Sequence, residues 1–115
     1  RYLTLARVEA TLSASPDVEL TTLHEQARQR LLDYAHPLRG GPQAQGWPFG
    51  EDLYYGALYQ QLLSLPGVRR VTGLFIQTEL EAEDEALCRD RIEIPDGFLL
   101  HLPADALHLQ VRHER

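Results

Sequence analysis

The chain has 115 residues, of which 43% are hydrophobic and 24% charged, with a net charge of −6. This balance predicts one folded domain with a single core and excludes the charged, apolar-poor composition of a disordered segment. The acidic charge, without a cluster of Arg interleaved with aromatic residues, excludes the electrostatic pattern of a nucleic-acid-binding protein.

The N-terminal third predicts a strand followed by a helix. Apolar and polar residues alternate from Val8 to Leu12, the period of a strand with one buried face. The stop and cap residues Ser15-Pro16-Asp17 follow, and apolar residues then recur at helical spacing from Leu20 to Tyr34. Pro37 is expected to end this first helix.

The middle of the chain predicts an anchored loop and a second helix. Residues 37–50 are too rich in Gly and Pro for a regular element, yet they contain the only tryptophan, Trp47. A second helix is expected over residues 51–65, ended by the Pro66-Gly67 pair. Gly56 inside it costs about 1 kcal/mol relative to Ala, so we expect close backbone packing there. The apolar face of this helix is predicted to contain Tyr54, Tyr55, Leu58, Tyr59, Leu62 and Leu65.

The second half of the chain predicts mainly strands. Val68 to Leu80 has strand periodicity, but its apolar parity changes across Gly73, which indicates a β-bulge. The acidic stretch Glu79–Glu85 is expected to be a solvated loop, with a cation site as the minority alternative. Two short apolar segments follow, around Ile92–Ile94 and Phe98–Leu102, with turn chemistry between them.

The last strand, Leu107 to His113, is the clearest in the sequence. Leu107, Leu109 and Val111 share one face, and polar residues share the other. Together, these elements predict an α+β fold: a two-layer sandwich with two helices packed on one face of a three- to four-stranded mixed or antiparallel sheet.

Residues 1–115 are expected to form a single domain cut from a larger protein. The segment begins with Arg1 and contains no methionine, so it does not begin at a translation start. No apolar run approaches the roughly 18 residues that span a bilayer, and membrane insertion is not expected.

The motifs of common catalytic and metal sites are absent from the sequence. Cys88, the only cysteine, has no nucleophile signature around it, and the five histidines form no zinc motif. His101 and His113 on neighbouring strands are kept as a minority two-ligand hypothesis beside the ordinary role of half-buried polar residues. The Gly-rich loop lacks the Gly-Lys of a phosphate loop. We therefore expect no enzyme activity, no cofactor and no metal.

One composite motif carries a family resemblance. Pro37-Leu38-Arg39-Gly40-Gly41, then Gly46-Trp47-Pro48-Phe49-Gly50, then a helix from Asp52-Leu53-Tyr54 to Pro66-Gly67-Val68 resemble the C-terminal region of baseplate J-like proteins. The similarity covers roughly Val8 to Leu80 and is looser beyond it. The motif positions that it singles out are Pro37, Gly40, Gly41, Gly46, Trp47, Pro48, Phe49, Gly50, Tyr54, Pro66 and Gly67.

The resemblance implies a mechanical role. Baseplate J-like proteins are wedge components of contractile phage tails and related injection machines, assembled in the bacterial cytoplasm. It implies contacts with other wedge subunits and with hub or sheath proteins, and no substrate or cofactor. Which machine the protein serves is left open, among phage, bacteriocin-like particle, secretion system and extracellular injection particle.

Two questions about the aromatic loop remain open from the sequence. Trp47 and Phe49 either fill the core of this domain or contact a neighbouring subunit. The alternative function is a small glycan- or peptide-binding module, which would expose Trp47 on a concave face, whereas a packing role would bury it. The isolated domain is expected to be monomeric because its net charge resists self-association.

Overall fold

A long central strand organises the fold in this computed structural model, which describes residues 2–41, 43–48, 51–80 and 90–114. The elements in chain order are β1 Tyr2–Ala14, α1 Leu20–Tyr34, β2 Leu53–Tyr54, α2 Tyr55–Leu63, β3 Val68–Thr78, β4 Arg91–Ile92, β5 Leu99–His101 and β6 Leu107–His113. A short 3-10 helix, Ala104–Ala106, leads into β6.

The main sheet is mixed and has β1 in its centre. On one side, β1 pairs with β3 in antiparallel orientation. On the other side it pairs in parallel with β5 near its start and with β6 near its end. A separate two-stranded sheet is formed by β2 and β4.

Both helices pack on the same face of the main sheet, as the sequence predicts. α1 packs against β6 and α2 packs against β3. The side chains on one side of β1 point into this layer and are buried. Those on the other side, among them Tyr2 and Arg7, lie on the open face of the sheet. Leu109 is buried in the same layer. Leu107 and Val111 are partly buried and pack against this core. The largest fully buried side chains are Leu5, Leu12, Leu23, Leu31, Leu53, Leu58, Leu62, Ile76, Ile92, Leu100 and Val8.

The predicted bulge at Gly73 is confirmed. Between the pairs Glu9↔Phe75 and Thr11↔Thr72, β3 advances by one residue more than β1. Gly73 lies in this interval with φ of +65°, a backbone angle that glycine adopts without steric cost.

The first strand is longer than predicted because it contains an irregularity of its own. β1 begins at Tyr2, six residues before the alternating pattern at Val8. Its register against β3 shifts between Leu5 and Arg7, which breaks the period of two. Leu3 and Leu5 are nevertheless buried in the same core as Val8.

The predicted start of the second helix is wrong. Leu53 and Tyr54 are extended and pair with Ile92 and Arg91, so α2 begins only at Tyr55. Asp52 does not lie in the helix, and its side chain accepts a hydrogen bond from the Ile94 backbone N–H at 3.1 Å. This pairing joins segments far apart in the chain, which local periodicity does not reveal.

Two smaller predictions about the helices also need correction. Gly56 is exposed, and a Cβ atom built on it would have no neighbouring atom within 4 Å, so close packing does not explain it. The N-cap of α1 is Glu19 and not one of residues 15–17. The Glu19 carboxylate accepts hydrogen bonds from the backbone N–H groups of Thr21 and Thr22 at 3.1 and 2.7 Å.

Three sequence predictions lie outside the described residues. These are the roles of Phe49 and Gly50, the loop at positions 81–85 and the role of Cys88. Within the described residues, neither helix has the length and apolar character needed to cross a membrane.

Candidate functional site

The motif residues that follow α1 form a loop, here called the Trp47 loop, comprising the described residues of the segment 36–48. It starts directly after Ala35, the C-cap of α1. The His36 side chain orders its first turn, because Nδ1 accepts hydrogen bonds from the backbone N–H groups of Leu38 at 3.0 Å and Arg39 at 3.2 Å. An imidazole nitrogen that accepts in this way carries no proton.

Gly40 and Gly41 hold the loop against the end of α1. The Gly41 N–H donates to the Tyr34 carbonyl at 2.7 Å, and the Gly40 N–H donates to the His36 carbonyl at 2.8 Å. A Cβ atom at Gly40 would lie 2.1 Å from the Tyr34 carbonyl oxygen. Only glycine fits at this position without moving the backbone.

The loop then closes on its own backbone. The Gly46 N–H donates to the Gly40 carbonyl at 2.9 Å, and the Trp47 N–H donates to the Pro37 carbonyl at 3.2 Å. Gly46 makes this return with φ of +107°, and a Cβ there would lie 2.9 Å from the Pro37 oxygen. The glycines of the motif therefore serve chain geometry and close backbone approach.

Trp47 anchors the loop in the core of this domain. Only 4% of the residue is exposed. Its ring packs edge-on against Tyr34, with the ring centroids 5.5 Å apart, and its Nε1–H donates to the Glu51 carbonyl at 2.9 Å. Burial, and then the charge of Glu51, raise the pKa of Tyr34. The apolar surface of the indole is thus buried within the domain, and its N–H group has a hydrogen-bond acceptor there.

The tip of the Trp47 loop has the opposite character. Leu38 is 78% exposed, and Arg39 beside it is exposed as well. Both belong to the turn that His36 orders and that the bonds of Gly40 and Trp47 brace. The arrangement presents one large apolar side chain and one cation on a fixed backbone, which suits contact with another molecule.

The other motif residues lie elsewhere and have structural roles. Gly67, with φ of +88°, lies beside the start of α1: its carbonyl accepts from the Ser15 N–H at 2.9 Å, and a Cβ would lie 2.4 Å from Val18 Cγ2. Pro66 is exposed. Tyr54 is 43% exposed in β2, and its side-chain hydrogen bond is the largest cause that raises the pKa of Arg91.

The structure thus brings together one part of the predicted motif and separates the rest. Pro37, Gly40, Gly41, Gly46 and Trp47 form one closed unit, with exposed Pro48 at its end. Phe49 and Gly50 lie outside the described residues. Sequence reasoning missed the bonds that His36 accepts from the turn and the contact of Tyr34 with Trp47, and no local pattern in the sequence indicates either of them.

The two-histidine hypothesis is wrong. His101 lies beside Thr4 and His113 beside Ala14, roughly 30 Å apart along the same side of β1. His101 Nδ1 lies 3.3 Å from the Thr4 hydroxyl, and His113 Nε2 lies 2.7 Å from the Val18 carbonyl. No group of three or more potential ligands occurs among the residues that the structure describes.

No protein-family model matches the chain, and no curated protein matches its sequence.

Proposed function

We propose that this chain is a structural domain of a baseplate wedge, in a contractile tail or a related injection machine, and that it acts through protein–protein contacts. The partners are other wedge subunits and hub or sheath proteins. The resemblance of the Pro37–Val68 motif to baseplate J-like proteins supports this proposal. The observation that carries it is the Trp47 loop, which is anchored by a buried ring and exposes Leu38 at its tip.

A braced loop is suited to assembly because its conformation is set before the partner arrives. Ordering a loop upon binding costs free energy, and the hydrogen bonds of Gly40, Gly41, Gly46 and Trp47 meet that cost within the folded domain. Leu38 then contributes apolar contact area without a further ordering cost. Many such modest contacts, repeated around a ring of subunits, give a stable assembly through effective concentration.

The burial of Trp47 also bears on the alternative function. A glycan-binding module that stacks a sugar on Trp47 needs an exposed indole face, and 4% exposure leaves no such face. The Nε1–H is likewise occupied by the Glu51 carbonyl. This weighs against a glycan site centred on the only tryptophan and favours the wedge proposal.

The test is assembly of particles from the intact parent protein and the products of its neighbouring genes. We expect those genes to encode sheath, tube and spike proteins. Leu38→Asp in the parent should greatly reduce the number of complete baseplates seen by electron microscopy. Gln43→Asp, at an exposed position of the same loop, is the matched control and should assemble normally.

Two results would contradict the proposal. One is a set of neighbouring genes without tail or injection-machine components. The other is normal assembly of the Leu38→Asp parent. Circular dichroism and thermal melting check that the domain is folded in both the Leu38→Asp and the Gln43→Asp variants.

A further inference from the structure

One row of side chains crosses the open face of the main sheet near the end of β1. Ser13 is paired with Arg70 of β3 on one side and with Arg112 of β6 on the other. Directly opposed residues project from the same face of a sheet, and strands two places apart are separated by about 10 Å. Ser13 therefore lies on the floor of a cleft with one guanidinium-bearing side chain on each side, and these three residues line it together with His113 and Glu114.

The Ser13 hydroxyl is buried and has no hydrogen-bond partner within the part of the chain that the structure describes. Ser13 is only 7% exposed, one of two buried polar residues within the described chain. The hydrogen bonds of the described residues include none to its Oγ, although buried hydroxyls in folded proteins nearly always have a partner. Ser13 lines the cleft, so a group bound there is the missing partner that the geometry allows.

The charges around Ser13 indicate what that group is. Arg70 and Arg112 supply two positive charges, and Glu114 supplies one negative charge at the rim, with its Oε1 3.6 Å from Arg70 Nη2. Arg112 has no ion pair among the described residues. The His113 ring bonds to the Val18 carbonyl at 2.7 Å and adds no free donor. The cleft therefore has a net charge of one positive unit, which matches a carboxylate better than a phosphate dianion.

We propose that the Ser13 cleft, lined by Ser13, Arg70 and Arg112, binds a carboxylate. Guanidinium groups bind carboxylates through paired, charge-assisted hydrogen bonds, and the Ser13 hydroxyl donates a third bond from below. The Glu114 contact with Arg70 shows that a carboxylate already reaches this rim. In a wedge, the ligand is an acidic side chain of a neighbouring subunit, a step that rests on the proposed function.

The test is a titration of the isotope-labelled 115-residue chain, followed by NMR. The probe is N-acetyl-glutamate amide, and its neutral counterpart N-acetyl-glutamine amide is the matched ligand control. We expect saturable shifts of the Ser13 amide and of the Arg70 and Arg112 Nε–H signals with the carboxylate only. Inorganic phosphate should bind more weakly than the carboxylate.

Variants connect the binding to the named side chains. Arg112→Gln should weaken carboxylate binding by about tenfold, since it removes a charge-assisted contact. Ser13→Ala should weaken it by about threefold while leaving the free energy of unfolding equal or higher, because its hydroxyl has no partner to lose among the described residues. Arg28→Gln on α1, away from the open face, is the control and should bind within about twofold of the wild type.

Each of three outcomes would overturn the proposal: equal shifts with the glutamine control, unchanged affinity in Arg112→Gln, or tighter binding of phosphate than of carboxylate. A Ser13→Ala variant that unfolds more easily would show that the hydroxyl has a structural partner. The proposed function is tested separately. Normal baseplate assembly of the Arg112→Gln parent would show that the carboxylate does not come from a neighbouring wedge subunit. It would not contradict the binding of a carboxylate by the wild-type cleft.

Discussion

Two glycines of this chain have opposite surroundings, and alanine at each should have opposite effects. At Gly40, a Cβ atom would lie 2.1 Å from the Tyr34 carbonyl oxygen, so Gly40→Ala should destabilise the domain by about 2 kcal/mol or more. At Gly56, the same atom would meet nothing within 4 Å in the first turn of α2. Gly56→Ala should stabilise the domain by about 0.5–1 kcal/mol, because alanine lowers the conformational entropy of the unfolded chain.

Urea denaturation of both variants measures these effects against the wild type. Equal stability of the Gly40→Ala variant would mean that the loop end of α1 shifts at little cost. A loss of stability in Gly56→Ala would mean that this part of α2 does contact another segment.

The indole of Trp47 is the main apolar anchor of its loop. Trp47→Ala should lower the free energy of unfolding by about 3 kcal/mol or more, as expected for an aromatic ring removed from a core. Trp47→Phe keeps a ring against Tyr34 and loses the Nε1–H bond to Glu51, so its loss should be smaller. Chemical denaturation decides the matter, and a loss below about 1 kcal/mol for Trp47→Ala would contradict the anchoring role.

At the scale of elements, α1 should lose stability in acid through its N-cap. Hydrogen bonds hold the pKa of the Glu19 carboxyl below its ordinary value of 4.5, and the bond from the Thr22 side chain has the largest effect. Because the folded-state pKa is the lower one, the stabilisation is complete above pH 4.5 and is lost as the pH falls through the folded-state pKa.

Melting temperatures measured from pH 6 down to acid, at about one-unit steps, test this dependence. The Glu19→Gln variant should show a shallower decline than the wild type below the ordinary carboxyl pKa. Glu25→Gln, on the exposed side of the same helix, should follow the wild type. Parallel curves for the wild type and Glu19→Gln would show that the cap carboxylate does not contribute.

The contact between α2 and β3 includes a hydrogen-bonded tyrosine. The Tyr55 hydroxyl donates to the Ile76 carbonyl at 3.0 Å and accepts from the Ile76 N–H at 3.1 Å. Tyr55→Phe should therefore destabilise the domain by about 1–2 kcal/mol. Tyr59→Phe is the matched control, since the Tyr59 hydroxyl has no hydrogen bond among the described residues, and it should change stability by less than about 0.5 kcal/mol. Equal losses for the two variants in urea denaturation would contradict this assignment.

Elements defined by local patterns were predictable from the sequence, and those defined by distant pairing were not. The span of α1 and the bulge at Gly73 follow from apolar periodicity together with the local signals of Pro37 and of glycine, although the N-cap of α1 did not. The conversion of Leu53–Tyr54 to a strand depends on Arg91–Ile92, far along the chain. Periodicity has no information on such a partner.

The Trp47 loop shows the same division at the candidate site. The sequence indicated that a single large aromatic residue among Gly and Pro anchors this loop, but it left open whether the ring fills the core or contacts a neighbour, and the structure shows it buried. The brace of backbone hydrogen bonds from Gly40, Gly41, Gly46 and Trp47 was not, because it depends on φ and ψ angles that residue types only restrict. The Ser13 cleft was also missed, since its three residues come from three strands.

At the scale of the whole molecule, the domain should be monomeric in isolation. Its net charge of −6 opposes self-association, and the apolar side of α2 is used internally by Leu58 and Leu62. Sedimentation at about 100 µM should give the mass of one chain. A tight homodimer that buries the aromatic side of α2 would contradict this prediction.

The position of β6 in the sheet determines when this domain can fold during synthesis. β1 is made first, but its second half, Val8 to Ala14, stays without a parallel neighbour until Leu107–His113 have been translated. Until then, the surfaces of β1 and α1 that pack against β6, and the part of the core that includes Leu109, lack this strand. The domain therefore cannot mature gradually from its N-terminus, and a ribosome that stalls before Leu107 holds an unfinished, aggregation-prone sheet.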